Sequence, residues 1–125
     1  MKQFEFSHAT VEIRKGVVWL TFKESAELDV KEIRELTKAA ETLSENKPYV
    51  LMVDARVHLT ITSEARKISA EKKESPLLLA NAVIVNNLPV RVTANFFSSF
   101  NKPHFAFKVF NDEKKALTWL LKQKP

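Results

Sequence analysis

"YVLMVDA", residues 49–55, is the stretch on which the fold turns. It is a short apolar run between Pro48 and Arg56, the pattern of a strand covered on both faces rather than of a half-solvated one. Such a strand belongs in the middle of a sheet, with helices on either side of it in sequence.

Upstream, Val30, Ile33, Leu36, Ala40 and Leu43 recur at helical spacing. Asp29 can accept hydrogen bonds from the free N–H groups of the first turn, and Asn46 and Pro48 end the pattern. Before this helix, "FEFSHATVEIR" (4–14) alternates irregularly, Lys15-Gly16 offers a tight reversal, and "VVWLTF" (17–22) is rich in β-formers. These three pieces predict a hairpin. Gly16 is the chain's single glycine.

Downstream, "VDARVHLTITSEARK" (53–67) leaves the strand through a hydroxyl-rich turn and enters a charged helix expected over about 63–74. Ala65 and Ile68 would face a core there, with Glu64, Lys67, Glu71 and Lys72 in solvent. After Ser75-Pro76 comes a second apolar strand, "LLANAVIV", and then "NNLP", in which Pro89 suits the first turn of another helix. On that helix Val92, Phe96 and Phe100 repeat every four residues, and Arg91, Asn95, Ser98 and Lys102 trace the opposite polar stripe. "FAFKVF" (105–110) is the last strand, and Asn111 or Asp112 caps a final helix with Ala116, Leu117, Leu120 and Leu121 inward. The order ββαβαβαβα predicts an α/β fold in one domain, residues 1–125: a mixed five-stranded sheet with four helices, an antiparallel hairpin on one side and parallel strands joined by helical crossovers.

With 125 residues, 45% of them hydrophobic and 28% charged, the composition is that of an ordinary globular domain with a core of its own. Cysteine is absent, which excludes disulfides, thiol catalysis and cysteine-ligated zinc. No secretory leader is legible at the start, and the longest apolar run, "LLLANAVIV", is too short to span a bilayer, so a cytoplasmic protein is expected. The net charge of +5 is uneven: residues 1–74 balance thirteen basic against thirteen acidic side chains, and residues 75–125 carry seven against two.

One part of the sequence is familiar. "RVTANFFSSFNKPHFAFKVFNDEKKALTWL" (91–120), preceded by "TSEARK" after an Asp-ending strand, resembles the bacterial STAS-like (SpoIIAA-like) domains of unknown function. These are relatives in fold of the anti-anti-sigma factors and of the lipid-carrying CRAL-TRIO domains. The resemblance covers nearly the whole chain and implies a STAS-like fold. In the anti-anti-sigma factors an acceptor serine sits in an Asp-Ser-Ser-Gly-like turn at the start of the helix after a central strand. Here the corresponding stretch reads "DARVHLTITSEA", without glycine or Asp-Ser-Ser. Thr60, Thr62 and Ser63 are the hydroxyls nearest the equivalent position.

Three sets of residues are candidates for function. Thr60, Thr62 and Ser63, with Arg66 as a counter-charge, could form a phosphoacceptor or anion-binding turn, because free N–H groups and the positive helix end favour an anion. The alternative is that Thr62 or Ser63 simply caps a helix. Phe96, Phe97 and Phe100, flanked by Arg91 and Asn95 and with Phe105 and Phe107 nearby, could line a pocket or a dimer surface, or could be core. Asp54 sits at the strand-end rim where open α/β sheets bind ligands, and it could instead stabilise its turn with Arg56 as partner.

His8, His58 and His104 are dispersed and show no metal-ligand spacing, so no metal is expected. A single glycine is too few for a phosphate loop or a dinucleotide fingerprint, and no Gly-x-Ser-x-Gly elbow exists. No cofactor and no enzymatic activity are expected.

The first functional expectation is therefore a non-enzymatic regulatory or protein-interaction module, with an unidentified protein partner and a homodimer as one form of assembly. The second is a carrier of a small apolar or amphipathic ligand in a Phe-lined pocket. The third is basic-surface binding to nucleic acid, through Arg91, Lys102, Lys108, Lys114, Lys115, Lys122 and Lys124; no nucleic-acid motif accompanies these charges, and a solvated surface accounts for them equally.

Overall fold

The computed structural model describes residues 3–86 and 103–125. Its centre is a six-stranded mixed sheet of β1 (Gln3–Glu5), β2 (Ala9–Arg14), β3 (Val17–Phe22), β5 (Tyr49–Asp54), β7 (Leu78–Ile84) and β8 (Ala106–Phe110), in the order β1-β2-β3-β5-β7-β8. β1, β2 and β3 pair antiparallel, and β3, β5, β7 and β8 run parallel. Two further strands, β4 (Ala26–Leu28) and β6 (Leu59–Ile61), form a small parallel ribbon. The helices are α1 (Val30–Leu43), α2 (Ser63–Ser69) and α3 (Glu113–Leu121).

The mixed α/β architecture with its antiparallel side and parallel remainder is the one the sequence predicts. Its inventory differs. Among the described residues the expected five strands are eight: the first is split into β1 and β2 by a reversal in which the Phe6 N–H donates to the Ala9 carbonyl, and the ribbon adds β4 and β6. Three-residue strands carry too little alternation to register as a period, so their pairing is set by what lies beside them. Among the described residues there are three helices rather than four, and the helix expected over about 89–102 lies outside the described residues. The helix expected over 63–74 stops at Ser69, because beyond Ile68 the sequence offers no further apolar residue at helical spacing to hold another turn against the core.

Local chemistry accounts for the turns and helix starts. Lys15 and Gly16 both have positive φ, 50° and 76°, the combination a two-residue turn needs to match the twist of β2 and β3. Asp29 and Glu32 form a reciprocal capping box on α1, with Asp29 Oδ1 accepting from the Val30 N–H and Glu32 Oε1 accepting from the Asp29 N–H. Asp112 caps α3 by accepting from the N–H groups of Lys114 and Lys115.

Side-chain alternation divides the core between the two faces of the sheet. Val17, Trp19, Val50, Met52, Ala80, Ala82 and Ile84 pack with Ala116 and Leu120 of α3. Val18, Leu20, Tyr49, Val53, Leu78 and Val83 pack with Leu36, Ala39, Ala40 and Leu43 of α1. β5 is buried from both sides, which is why its sequence reads as an unbroken apolar run.

One irregularity positions the site. Tyr49 pairs with Leu78 but Val50 pairs with Ala80, so Leu79 is an extra residue and is left exposed. The bulge reverses the phase of β7. Leu78 faces α1, and after the bulge it is Asn81 and Val83 that face the same way, while Ala80, Ala82 and Ile84 turn to α3.

Candidate functional site

On the α1 side of the sheet, largely hydrocarbon walls line a partly open chamber of about 180 Å³. Leu20 and Phe22 of β3, Leu51 and Val53 of β5, Val83 of β7 and Phe107 of β8 line it from the sheet, with Phe105 just before β8. Ile33, Leu36 and Ala40 of α1 line the facing side, and Leu28, Leu59 and Ile61 bring in the β4–β6 ribbon. Of the α1 residues that line it, Ala40 is the smallest.

The polar residues among its described lining are Thr37, Tyr49, Ser69, Glu74, Ser75 and Asn81. Glu74 is held by Arg34 through two bonds, Nε to Oε1 at 3.0 Å and Nη2 to Oε2 at 3.2 Å, and this pairing keeps its carboxyl below the usual range. Ser75 is buried with its Oγ 3.2 Å from His104 Nε2. Burial, with the charge of Lys72 nearby, pushes His104 below its ordinary value, so its imidazole is neutral at pH 7. Burial also pushes the Tyr49 phenol up, with Glu41 adding to the effect.

Asn81 is a further polar lining residue. It sits in the middle of β7, between Leu51 of β5 and Phe107 of β8 in the sheet register. It lines the chamber, and its Oδ1 is sealed from solvent with no hydrogen-bond partner. Nothing in the sequence reading singled out Asn81, although it is the one polar residue in "LLANAVIV".

The residues proposed from sequence fall elsewhere or outside the described region. Thr60 lies on β6, Thr62 is the N-cap of α2 and Ser63 is its first residue, all three exposed. The Thr62 hydroxyl accepts from the Ala65 N–H at 3.1 Å and donates to Asp29 Oδ1 at 3.0 Å. Asp29, the cap of α1, thereby supplies the start of α2 with negative charge from within the fold. Arg66 is half-buried, and its Nε has no partner.

Asp54 and Arg56 form a two-point ion pair at the end of β5, with Nε to Oδ1 at 3.0 Å and Nη2 to Oδ2 at 2.8 Å. Arg56 reaches Glu113 at the start of α3 at 3.4 Å, so the pair ties the strand end to that helix and does not line the chamber. The hydrogen bonds from Arg56 hold the Asp54 carboxyl below the usual aspartate range. Phe96, Phe97, Phe100, Arg91 and Asn95 lie outside the described residues, whereas Phe105 and Phe107 line the chamber.

Among the described residues no group of three His, Asp or Glu side chains is placed to hold a metal ion, and no helix is long and apolar enough to cross a membrane.

A family model described as a domain of unknown function, DUF7793, matches residues 11–124. The chain belongs to the DUF7793 family. Among solved structures, this DUF7793 domain is similar to the crystal structure of an uncharacterized protein of the DUF3478 family, with a SpoIIAA-like fold, from Shewanella loihica PV-4. The TM-score is 0.57 and the identity 21%, over 94% of this chain and 98% of the other. The likeness is one of fold, and it agrees with the STAS-like, SpoIIAA-like resemblance read from the sequence. No curated protein matches the chain.

Proposed function

We propose that this DUF7793 domain is a non-enzymatic binding module whose chamber takes a small apolar or amphipathic ligand. The observation that carries this reading is a chamber of about 180 Å³ with largely hydrocarbon walls beside a closely packed core. An engineered apolar cavity of about 150 Å³ stays dry and takes a benzene ring. A space of this size and lining therefore suits a single aromatic ring or a short alkyl chain, not a long acyl chain.

Native mass spectrometry of gently purified protein, with a thermal-shift series in benzene and toluene, tests the reading. Binding to the native state alone stabilises by about 1.4 kcal/mol when free ligand is near ten times Kd, so the midpoint should climb with probe concentration. A bare protein mass together with a flat midpoint up to the solubility limit of both probes counts against it.

A second reading, a regulatory module acting through protein contacts, draws support from the SpoIIAA-like fold of the structural neighbour. Exposed Ser63 stands one helical turn before Arg66 on α2, and the Arg66 Nε is unpaired. Phosphate mapping after incubation with cell lysate, combined with pull-downs of alanine variants at Thr60, Thr62 and Ser63, tests it. No modification and no change in bound partners would remove this reading.

A further inference from the structure

We infer that the bond between Thr62 and Asp29 positions the ribbon wall of the chamber, and that the chamber's affinity for its ligand is coupled to that bond. The inference rests on the ligand-binding reading and adds to it a point of control outside the cavity.

Among the described residues β4 and β6 pair with each other and with no strand of the main sheet. Leu28, Leu59 and Ile61 of this ribbon nonetheless line the chamber, and Leu28 is buried. A pair of three-residue strands gains little stability from its own ladder. The place of this wall therefore depends on what holds the ends of the ribbon.

The wall residues adjoin the capping residues in sequence: Leu28 precedes Asp29, and Ile61 precedes Thr62. The Thr62 N–H donates to the Leu28 carbonyl at 3.0 Å, and the Thr62 hydroxyl donates to Asp29 Oδ1 at 3.0 Å. Asp29 also starts α1, where the Ile33 N–H donates to the Asp29 carbonyl and the Ile33 side chain lines the chamber. Thr62 starts α2 by accepting from the N–H of the buried Ala65. One pair of side chains thus fixes the ribbon to both helices at once. At the ribbon's other end the Ser25 N–H donates to the His58 carbonyl at 2.7 Å, a main-chain bond that a substitution at Thr62 leaves in place.

Neither Asp29 nor Thr62 is among the residues that line the chamber, so they act on a ligand only through the wall. Loosening the ribbon at Thr62 lets Leu28 and Ile61 leave their places in part of the population, and affinity falls with the fraction that remains competent. By reciprocity, a ligand packed against the wall holds the ribbon closed.

Titration calorimetry with toluene on the full chain tests the coupling. Thr62→Val, which keeps the shape and removes the hydroxyl, should bind toluene about fivefold more weakly than wild type. Thr62→Ser restores the hydroxyl and should restore wild-type affinity. Asp112→Ala removes the cap of α3 on the opposite face of the sheet, and it should lose stability without losing affinity for toluene. Hydrogen exchange at the Thr62 N–H of wild type, which needs no variant to fold, should slow when toluene is bound.

Equal affinity in wild type and Thr62→Val, equal weakening by Asp112→Ala, no rescue by Thr62→Ser, or unchanged exchange at the Thr62 N–H overturns the coupling and leaves the chamber as a binding site. No binding of toluene by wild type overturns the chamber reading and the coupling with it.

Discussion

The hydroxyl of Thr62 donates to the carboxylate of Asp29 over 3.0 Å, so the residues that cap α2 and α1 are joined to each other across 33 positions of sequence. The ribbon makes this contact: β4 and β6 pair in parallel from Ala26 and Leu59 to Leu28 and Ile61, and the Thr62 N–H donates to the Leu28 carbonyl one step beyond. The two helices thus start side by side from neighbouring strand ends.

Removing either cap should affect the other. Asp29→Ala and Thr62→Val are each expected to cost about 1–2 kcal/mol in urea unfolding. Because they share a bond, the double variant should lose about 0.5–1 kcal/mol less than the two single losses combined. Strict additivity would show that the two caps act independently.

Charge at this turn should be tolerated at one residue and not at the next. Thr62→Glu removes the cap and sets a second carboxylate against Asp29, for a loss of about 1–2 kcal/mol. Ser63→Glu places an acid in the first turn of α2, where the helix dipole favours it, and should stay within about 0.5 kcal/mol of wild type. Thermal melts of the two variants decide the point. Equal destabilisation would mean that the contact with Asp29 does not discriminate between the two positions.

Filling the chamber should separate binding from stability. Ala40 on α1 is buried and lines the space, so Ala40→Leu extends its methyl to an isobutyl group beside the opening. Overpacking a tight core usually costs about 1–3 kcal/mol, whereas here the change should be under about 1 kcal/mol. Affinity for toluene should nonetheless fall at least about tenfold, as expected when a pocket is occupied by protein. Unchanged affinity would place toluene outside the chamber.

The ion pair at the end of β5 sets part of the acid limit. Hydrogen bonding from Arg56 lowers the Asp54 carboxyl from its ordinary value near 3.8, so on acidification the unfolded chain takes up this proton before the folded one does. The contribution is whole above the unfolded value and is lost as pH falls through the lower, folded one. Asp54→Asn should therefore flatten the dependence of the urea midpoint on pH below about 4. A slope equal to that of wild type would show that the pair contributes nothing to acid stability.

His104 should produce a separate loss at milder acidity. Burial is the main cause that lowers its imidazole from the ordinary value near 6.5, so the neutral form stabilises the fold above that value, and the stabilisation declines as pH falls through the folded value. His104→Phe should lessen the slope of stability against pH just below about 6.5. Its persistence would assign that slope to another group.

Much of the scaffold is written in neighbouring residues. Asp29 before a row of apolar residues at helical spacing predicts α1, Lys15-Gly16 predicts the hairpin, and the apolar run from Tyr49 predicts the doubly covered β5. The candidate site was far less legible. Thr62 could be read from sequence as an anion site or as a cap, and its contact with Asp29 depends on a ribbon of two three-residue strands that no periodicity announces. Asn81 was visible as a polar letter in an apolar run, but the letter alone does not tell which face it occupies.

By itself, then, the sequence determined the class of fold, the starts of the helices and the depth of the central strands, because capping, turn geometry and side-chain period act between residues a few positions apart. Only the tertiary structure decided that Leu79 bulges, that Asn81 consequently faces the chamber and that Asp29 meets Thr62. Strand register and the joining of distant caps depend on segments being pressed together across a shared core, and a one-residue shift there exchanges the faces of a strand without altering a letter of its sequence.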